Sequence, residues 1–180
     1  MKRFLSVFIL TVLSCLMLSV NVCAEVNKQS NLKKVSTETQ ESILLPADIK
    51  TSTGYGNNAK GTYISTSLLS ISNKGYGEIG IYASTLAHKP VKKIRMNVYL
   101  DRWDEIKETW YQVDYYYFTY EYKEGEEDLT AVSEAFSVLG LPTGCYYRLR
   151  SFNAVFPFEG GVESQGPVTD GVLITNGPAV

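Results

Sequence analysis

Histidine is almost absent from this chain of 180 residues: there is one, His88, set beside Pro90 in a sequence context that reads as a turn. Cysteine is scarce too, with Cys15, Cys23 and Cys145 as the only three. A structural zinc site draws four ligands from Cys and His, so the composition gives it no support. No Gly-x-Ser-x-Gly elbow, P-loop or Gly-x-Gly-x-x-Gly fingerprint occurs, which removes the sequence signals for a serine hydrolase or a nucleotide-binding protein. A Cys-His pair would require an imidazole on a loop to meet an inward-facing thiol at Cys145, and the two are expected apart. Paired carboxylates of the glycosidase kind have no signature, because 19 acids are scattered along the chain. Basic excess is lacking as well, so nothing marks a footprint for nucleic acid or an anionic membrane. No stretch beyond residue 24 keeps a convincing period of 3.6, and no internal repeat is visible. The expectation is a protein without an enzymatic centre, cofactor or metal.

What is present begins with Lys2 and Arg3, an apolar run from Phe4 to Val20, and small residues at Val22-Cys23-Ala24. This is the pattern of a secretory signal peptide over residues 1–24, cleaved after Ala24. An uncleaved anchor is the alternative, since about twenty apolar residues span a bilayer; acylation at Cys15 is another, weakened by an apolar run that continues past it. Cleavage removes two of the 17 basic residues and none of the 19 acids, so the exported chain carries 15 basic groups and a formal charge of −4. It also removes two of the three cysteines, leaving Cys145 unable to form an internal disulfide. Such a chain fits an extracellular protein whose stability comes from its core, exported by a route that does not depend on disulfide formation or made in a host, such as a Gram-positive cell, that uses few disulfides. No membrane contact is expected after cleavage.

Residues 25–60 are rich in Asn, Lys, Ser, Thr and Gln and read as a solvated, flexible leader. Ile43-Leu44-Leu45-Pro46 interrupts it with an apolar patch that suits a first edge strand, a processing site or a piece that docks on the domain. Residues 61–177 then read as one β domain. Tyr63 to Ser72 is a strand, returned by a turn at Asn73-Lys74-Gly75 to a second strand over Glu78 to Ala87. From Val91 to Trp103 the alternation is cleanest: Ile94, Met96, Val98 and Leu100 face in, while Arg95, Asn97, Tyr99 and Asp101 face out. Asp128 to Val138 is ambiguous between strand and a helical turn.

The segment Trp110 to Tyr122, WYQVDYYYFTYEY, holds eight aromatic residues in thirteen. Simple alternation puts Tyr111, Val113, Tyr115 and Tyr117 on one side, with Trp110, Tyr116, Phe118, Tyr120 and Tyr122 on the other. One face alone can be core, so the second is expected to be covered by the leader, by a partner or by a ligand such as sugar, or to stand as a ladder of amphipathic rings. The set Trp110, Tyr116, Phe118, Tyr120 and Tyr122 is the candidate binding face, for a protein partner or a cell-surface glycan stacking on the rings. The acidic run Lys123 to Asp128 lacks the ligand spacing of a calcium loop and reads as a solvated turn.

Leu139 to Phe156, LGLPTGCYYRLRSFNAVF, reads as a tight turn feeding a long strand. Cys145, Tyr147 and Leu149 face the core, Arg148 and Arg150 face water, and the Tyr147 hydroxyl returns to a backbone carbonyl near the turn as a tyrosine corner. With Leu141-Pro142-Thr143 before it and Ser151 and Asn153 after it, this run resembles the sixth strand of fibronectin type III and related immunoglobulin-like domains. Glu163-Ser164-Gln165-Gly166-Pro167 is similar to the stretch by which such domains enter their last strand. The resemblance covers roughly the last quarter of the chain and implies a fold of about seven strands with no active site. The whole chain also resembles short secreted clostridial proteins of unknown function, which implies no reaction. The expected protein is therefore a secreted, non-catalytic immunoglobulin-like β-sandwich acting as a binding module, alternatively a carbohydrate-binding module using residues 110–122.

Overall fold

A computed structural model describes residues 34–56 and 61–179. The expected signal peptide, 1–24, and residues 25–33 and 57–60 of the expected leader lie outside the described residues. Ten strands follow one another with no helix among the described residues: β1 (Lys34–Val35), β2 (Thr51–Tyr55), β3 (Ile64–Gly75), β4 (Glu78–Ala87), β5 (Lys93–Asp104), β6 (Thr109–Glu121), β7 (Ala131–Val138), β8 (Cys145–Phe156), β9 (Glu163–Gln165) and β10 (Val172–Ile174). They form two antiparallel sheets, ordered β2-β3-β4-β7 and β1-β6-β5-β8-β10, with β9 also paired to β8. The expected β-sandwich is what is found, with ten strands in place of about seven.

Strict alternation builds the interior. Ile79, Ile81 and Ala83 of β4 and Leu69 and Ile71 of β3 meet Ile94, Met96, Val98 and Leu100 of β5, all buried. Each such side chain contributes about 1.5–3 kcal/mol on leaving water, which outweighs the weak sheet preference of residues such as Ser and Gly between them. Tyr147 lies in this core and its Oη donates to the Pro142 carbonyl at 3.0 Å, so the expected corner is present and pins the start of β8 to the loop before it.

Three local expectations are corrected. The β3–β4 turn falls two residues later than Asn73-Lys74-Gly75, at Gly75, Tyr76 and Gly77, all with positive φ (87°, 52° and 76°). Two glycines flank the bend because most side chains resist that region, and the buried Asn73 stands before it, its Oδ1 accepting the Gly75 amide at 2.8 Å and its Nδ2 donating to the Leu173 carbonyl at 3.0 Å. The ambiguous stretch is resolved as strand, since Ala131–Val138 pairs along its length with β4. Finally, outside the apolar patch Ile43-Leu44-Leu45-Pro46, for which docking on the domain was one of the expectations, residues 34–56 are part of the fold where a solvated tether was expected. β1 pairs with β6, β2 pairs with β3, and Leu44 bridges Gly171, with the Leu45 amide donating to the Gly171 carbonyl at 2.9 Å.

The interior also holds polar side chains that alternation alone does not explain. Ser67, Thr85, Ser151, Asn153 and Gln165 are buried together where β3 and β4 face β8 and β9. Ser67 Oγ donates to Gln165 Oε1 at 2.6 Å, whereas Thr85 Oγ1 has no partner.

Candidate functional site

The aromatic strand is governed by one extra residue. Asp101 pairs with Gln112 but its neighbour Leu100 pairs with Asp114, so Val113 is inserted as a β-bulge. A single inserted residue exchanges the faces of everything beyond it. Trp110 therefore lies on the outer side of the six-stranded sheet, while Tyr116 and Phe118 point between the sheets against Phe136, at 4.7 and 5.8 Å between ring centroids. Trp110 is 7 %, Tyr116 4 % and Phe118 3 % exposed. Tyr120 is half-buried with its hydroxyl on Glu134, and Tyr122 stands edge-on to Phe158 at 5.4 Å. The five nominated residues are thus split between core, a covered outer position and the end of the strand, and they form no common platform. Burial and then Asp114, which accepts from the Tyr116 hydroxyl at 3.0 Å, hold that phenol well above its ordinary pKa; burial and Glu134 do the same for Tyr120.

The rings that do share an open face come from three strands. Register places Tyr115, Tyr99 and Arg150 in one row across β6, β5 and β8, and Tyr117, Asn97 and Phe152 in the next. Thr119, Arg95 and Ala154 follow, then Glu121, Lys93 and Phe156. Cations sit between the rings: Arg150 lies 4.2 Å from the Tyr99 centroid, Arg95 is 5.4 Å from Tyr117 and 5.5 Å from Phe156, and Lys93 is 4.6 Å from Phe156. Phe152 is 46 % exposed. Sequence reasoning missed this group because only Tyr115 and Tyr117 belong to the aromatic strand; the outward alternation of Tyr99 and Arg95 was the available signal.

At the hairpin end of the same face the outer surface is covered. Arg148, expected in water, is 2 % exposed. Its Nε meets Asp101 Oδ2 at 3.3 Å and its guanidinium stacks on Trp110 at 4.6 Å. Arg150 Nε approaches the same carboxylate at 3.1 Å and its Nη2 donates to Gln112 Oε1 at 2.7 Å. The lid over this group is the stretch before β2: Ser36 Oγ donates to Asp101 Oδ2 at 2.7 Å, and Arg148 Nη1 donates to Ser42 Oγ at 2.9 Å. Burial pulls the Arg148 guanidinium below its ordinary pKa, and Asp101 opposes that pull. Two arginines share one carboxylate here because a polar segment from 106 or more residues upstream supplies the remaining acceptors.

Cys145 and His88 lie at opposite ends of the sandwich. Cys145 pairs with Ile174 near the first residues of β4, while the His88 amide bonds Tyr63 after its last residue. The 10-residue strand between them spans about 30 Å. Among the described residues no three Asp, Glu, His or Cys side chains gather as a metal site, and no helix is long and apolar enough to cross a membrane. A shallow hollow of about 380 Å³ on the outer face of the four-stranded sheet is lined by small side chains such as Ser70, Ser72, Ala135 and Ser137 around Tyr82, with Lys74 its one charged group. Comparison with protein-family models and with curated proteins finds no match to this chain.

Proposed function

We propose that the protein is an exported, non-catalytic binding module whose contact surface is the outer face of the six-stranded sheet. The observation that carries this reading is the set of rows built on Tyr99, Tyr115, Tyr117, Phe152 and Phe156, aromatic side chains laid side by side on a rigid antiparallel support. Large half-buried rings interleaved with Arg side chains are the residue types that anchor protein interfaces. Export is supported by the leader pattern of residues 1–24. The fibronectin-type resemblance is supported by the tyrosine corner and by β9 and β10, which continue one another along β8.

A protein partner is favoured by the edge of β6. β1 pairs with it only at Tyr111 and Gln112, so among the described residues no strand is paired to β6 on that side along Tyr116–Glu121. An open edge beside a ring-bearing face suits the addition of an extended segment. A carbohydrate is the second reading, favoured by Phe152 and its neighbours, since sugar rings stack on aromatic faces while Asn97 and Arg95 offer polar groups. The purified exported protein is tested on a glycan array and by pull-down against surface proteins of its host, beside a Tyr117→Ala/Phe152→Ala variant. Loss of retention in the variant, with an unchanged circular dichroism spectrum, supports the face; equal retention removes it.

A further inference from the structure

At the end of the β5–β6 hairpin, apart from the ring-bearing face, a cavity of about 160 Å³ is lined by Arg102, Asp104, Lys107, Tyr111 and Val113. Its volume corresponds to about five waters, on the order of one sugar or one amino-acid unit. We propose that this cavity binds a small carboxylate-bearing ligand, with the Arg102 guanidinium as the receptor for the carboxylate.

Arg102 is half-buried, in register within the six-stranded sheet with Tyr111 on one side and Tyr147 on the other. Its guanidinium presents a planar fork of N–H groups that matches a carboxylate. Lys107 supplies a second positive charge from the turn, its Nζ 5.2 Å from the Tyr111 ring centroid. The opposing charge is Asp104, whose Oδ1 accepts the amides of Ile106 and Lys107, both at 3.1 Å, and so is committed to closing the turn. Two cations against one anion leave a single net positive charge, which suits a monoanion better than a phosphate dianion. Tyr111 and Val113 form the side of the cavity against which an uncharged body rests.

The shared chemistry, a carboxylate on a body of this size, belongs both to a uronic acid unit and to an acylated amino acid. The test is a ¹⁵N NMR titration of the full exported protein with glucuronate, glucose, N-acetylglycine and inorganic phosphate. Glucuronate or N-acetylglycine is expected to shift the Ile106 and Lys107 amides saturably at millimolar concentration, the tighter of the two naming the source, while glucose leaves them still. Arg102→Gln is expected to weaken that binding at least tenfold, and Lys107→Gln, an exposed turn position that folding does not depend on, about threefold. Equal shifts from glucose and glucuronate, binding of phosphate alone, no saturable shift from either carboxylate, or undiminished binding by Lys107→Gln would overturn the proposal. None of these outcomes bears on the ring-bearing face.

Discussion

Replacing Asp101 by Asn is the perturbation to which this fold is most exposed. The Asp101 side chain is wholly buried and takes Ser36 Oγ at 2.7 Å, Arg150 Nε at 3.1 Å and Arg148 Nε at 3.3 Å. Asn keeps the volume but removes the charge, so Arg148, 2 % exposed, loses the carboxylate it touches and keeps only the more distant charge of Glu38. Removing one partner of a buried pair costs about 3–5 kcal/mol, against a total stability of about 5–15 kcal/mol for a domain. At about 2–4 °C per kcal/mol for a chain of this size, the melting midpoint should fall by roughly 6–20 °C. Urea unfolding monitored by Trp fluorescence gives the free energy directly, and both tryptophans, Trp103 and Trp110, lie beside the cluster. Because Ser36 and Ser42 are held through Asp101 and Arg148, limited proteolysis should cut within residues 36–45 before the rest of the chain. Asp101→Leu with Arg148→Met removes the most deeply buried pair of charges and, with Arg150 still held by Gln112, should restore part of the loss, as apolar replacement of buried pairs does elsewhere. An Asp101→Asn protein within about 1 kcal/mol of its parent would refute the reasoning, since it would mean that water reaches Arg148.

Three further outcomes follow from other parts of the fold. Tyr147, raised from an ordinary 10 to about 12 by burial, binds its proton more tightly when folded than when unfolded. Its contribution is therefore full below pH 10 and lost as the pH climbs towards 12, so a 295 nm titration should show a late phenol fraction ionising together with unfolding; smooth titration of every tyrosine near pH 10 in folded protein would contradict it. Thr85→Val deletes a buried hydroxyl whose Oγ1 has no partner and should leave stability unchanged or raise it by about 1 kcal/mol in urea unfolding; a clear loss would mean that the hydroxyl is bonded. Along β7 the outward residues are Ala131, Ser133, Ala135 and Ser137, with no charge to guard an edge that has no neighbouring strand among the described residues. Ala135→Lys should slow aggregation in light scattering at high concentration without moving the melting midpoint; an unchanged rate would show that this edge is not where chains meet.

What could be read from the sequence and what could not divide along one line. Alternation is local, so the inward set of Ile94, Met96, Val98 and Leu100 and the whole of β4 were legible. The tyrosine corner was legible because Tyr147 and Pro142 are five residues apart. The bulge at Val113 was not, because register belongs to the partner strand: nothing within WYQVDYYYFTYEY marks which residue lacks an opposite number. That one insertion moved Tyr116 and Phe118 from a nominated surface into the core. Arg148 was assigned to water for a similar reason, since the chain that covers it, Ser36 to Ser42, has a composition indistinguishable from a tether until its serines find Asp101 and Arg148. The open rows were hidden because they cross strands, joining Tyr117 to Phe152 through Asn97.

The measurement that bears most directly on the proposed role is calorimetric titration of whichever ligand the protein retains, comparing the parent, Tyr117→Ala/Phe152→Ala on the six-stranded sheet, and Tyr82→Ala on the opposite sheet. The account predicts that the first variant loses at least tenfold in affinity while the second binds as the parent does. Unchanged affinity in the first variant, or an equal loss in the second, would contradict it.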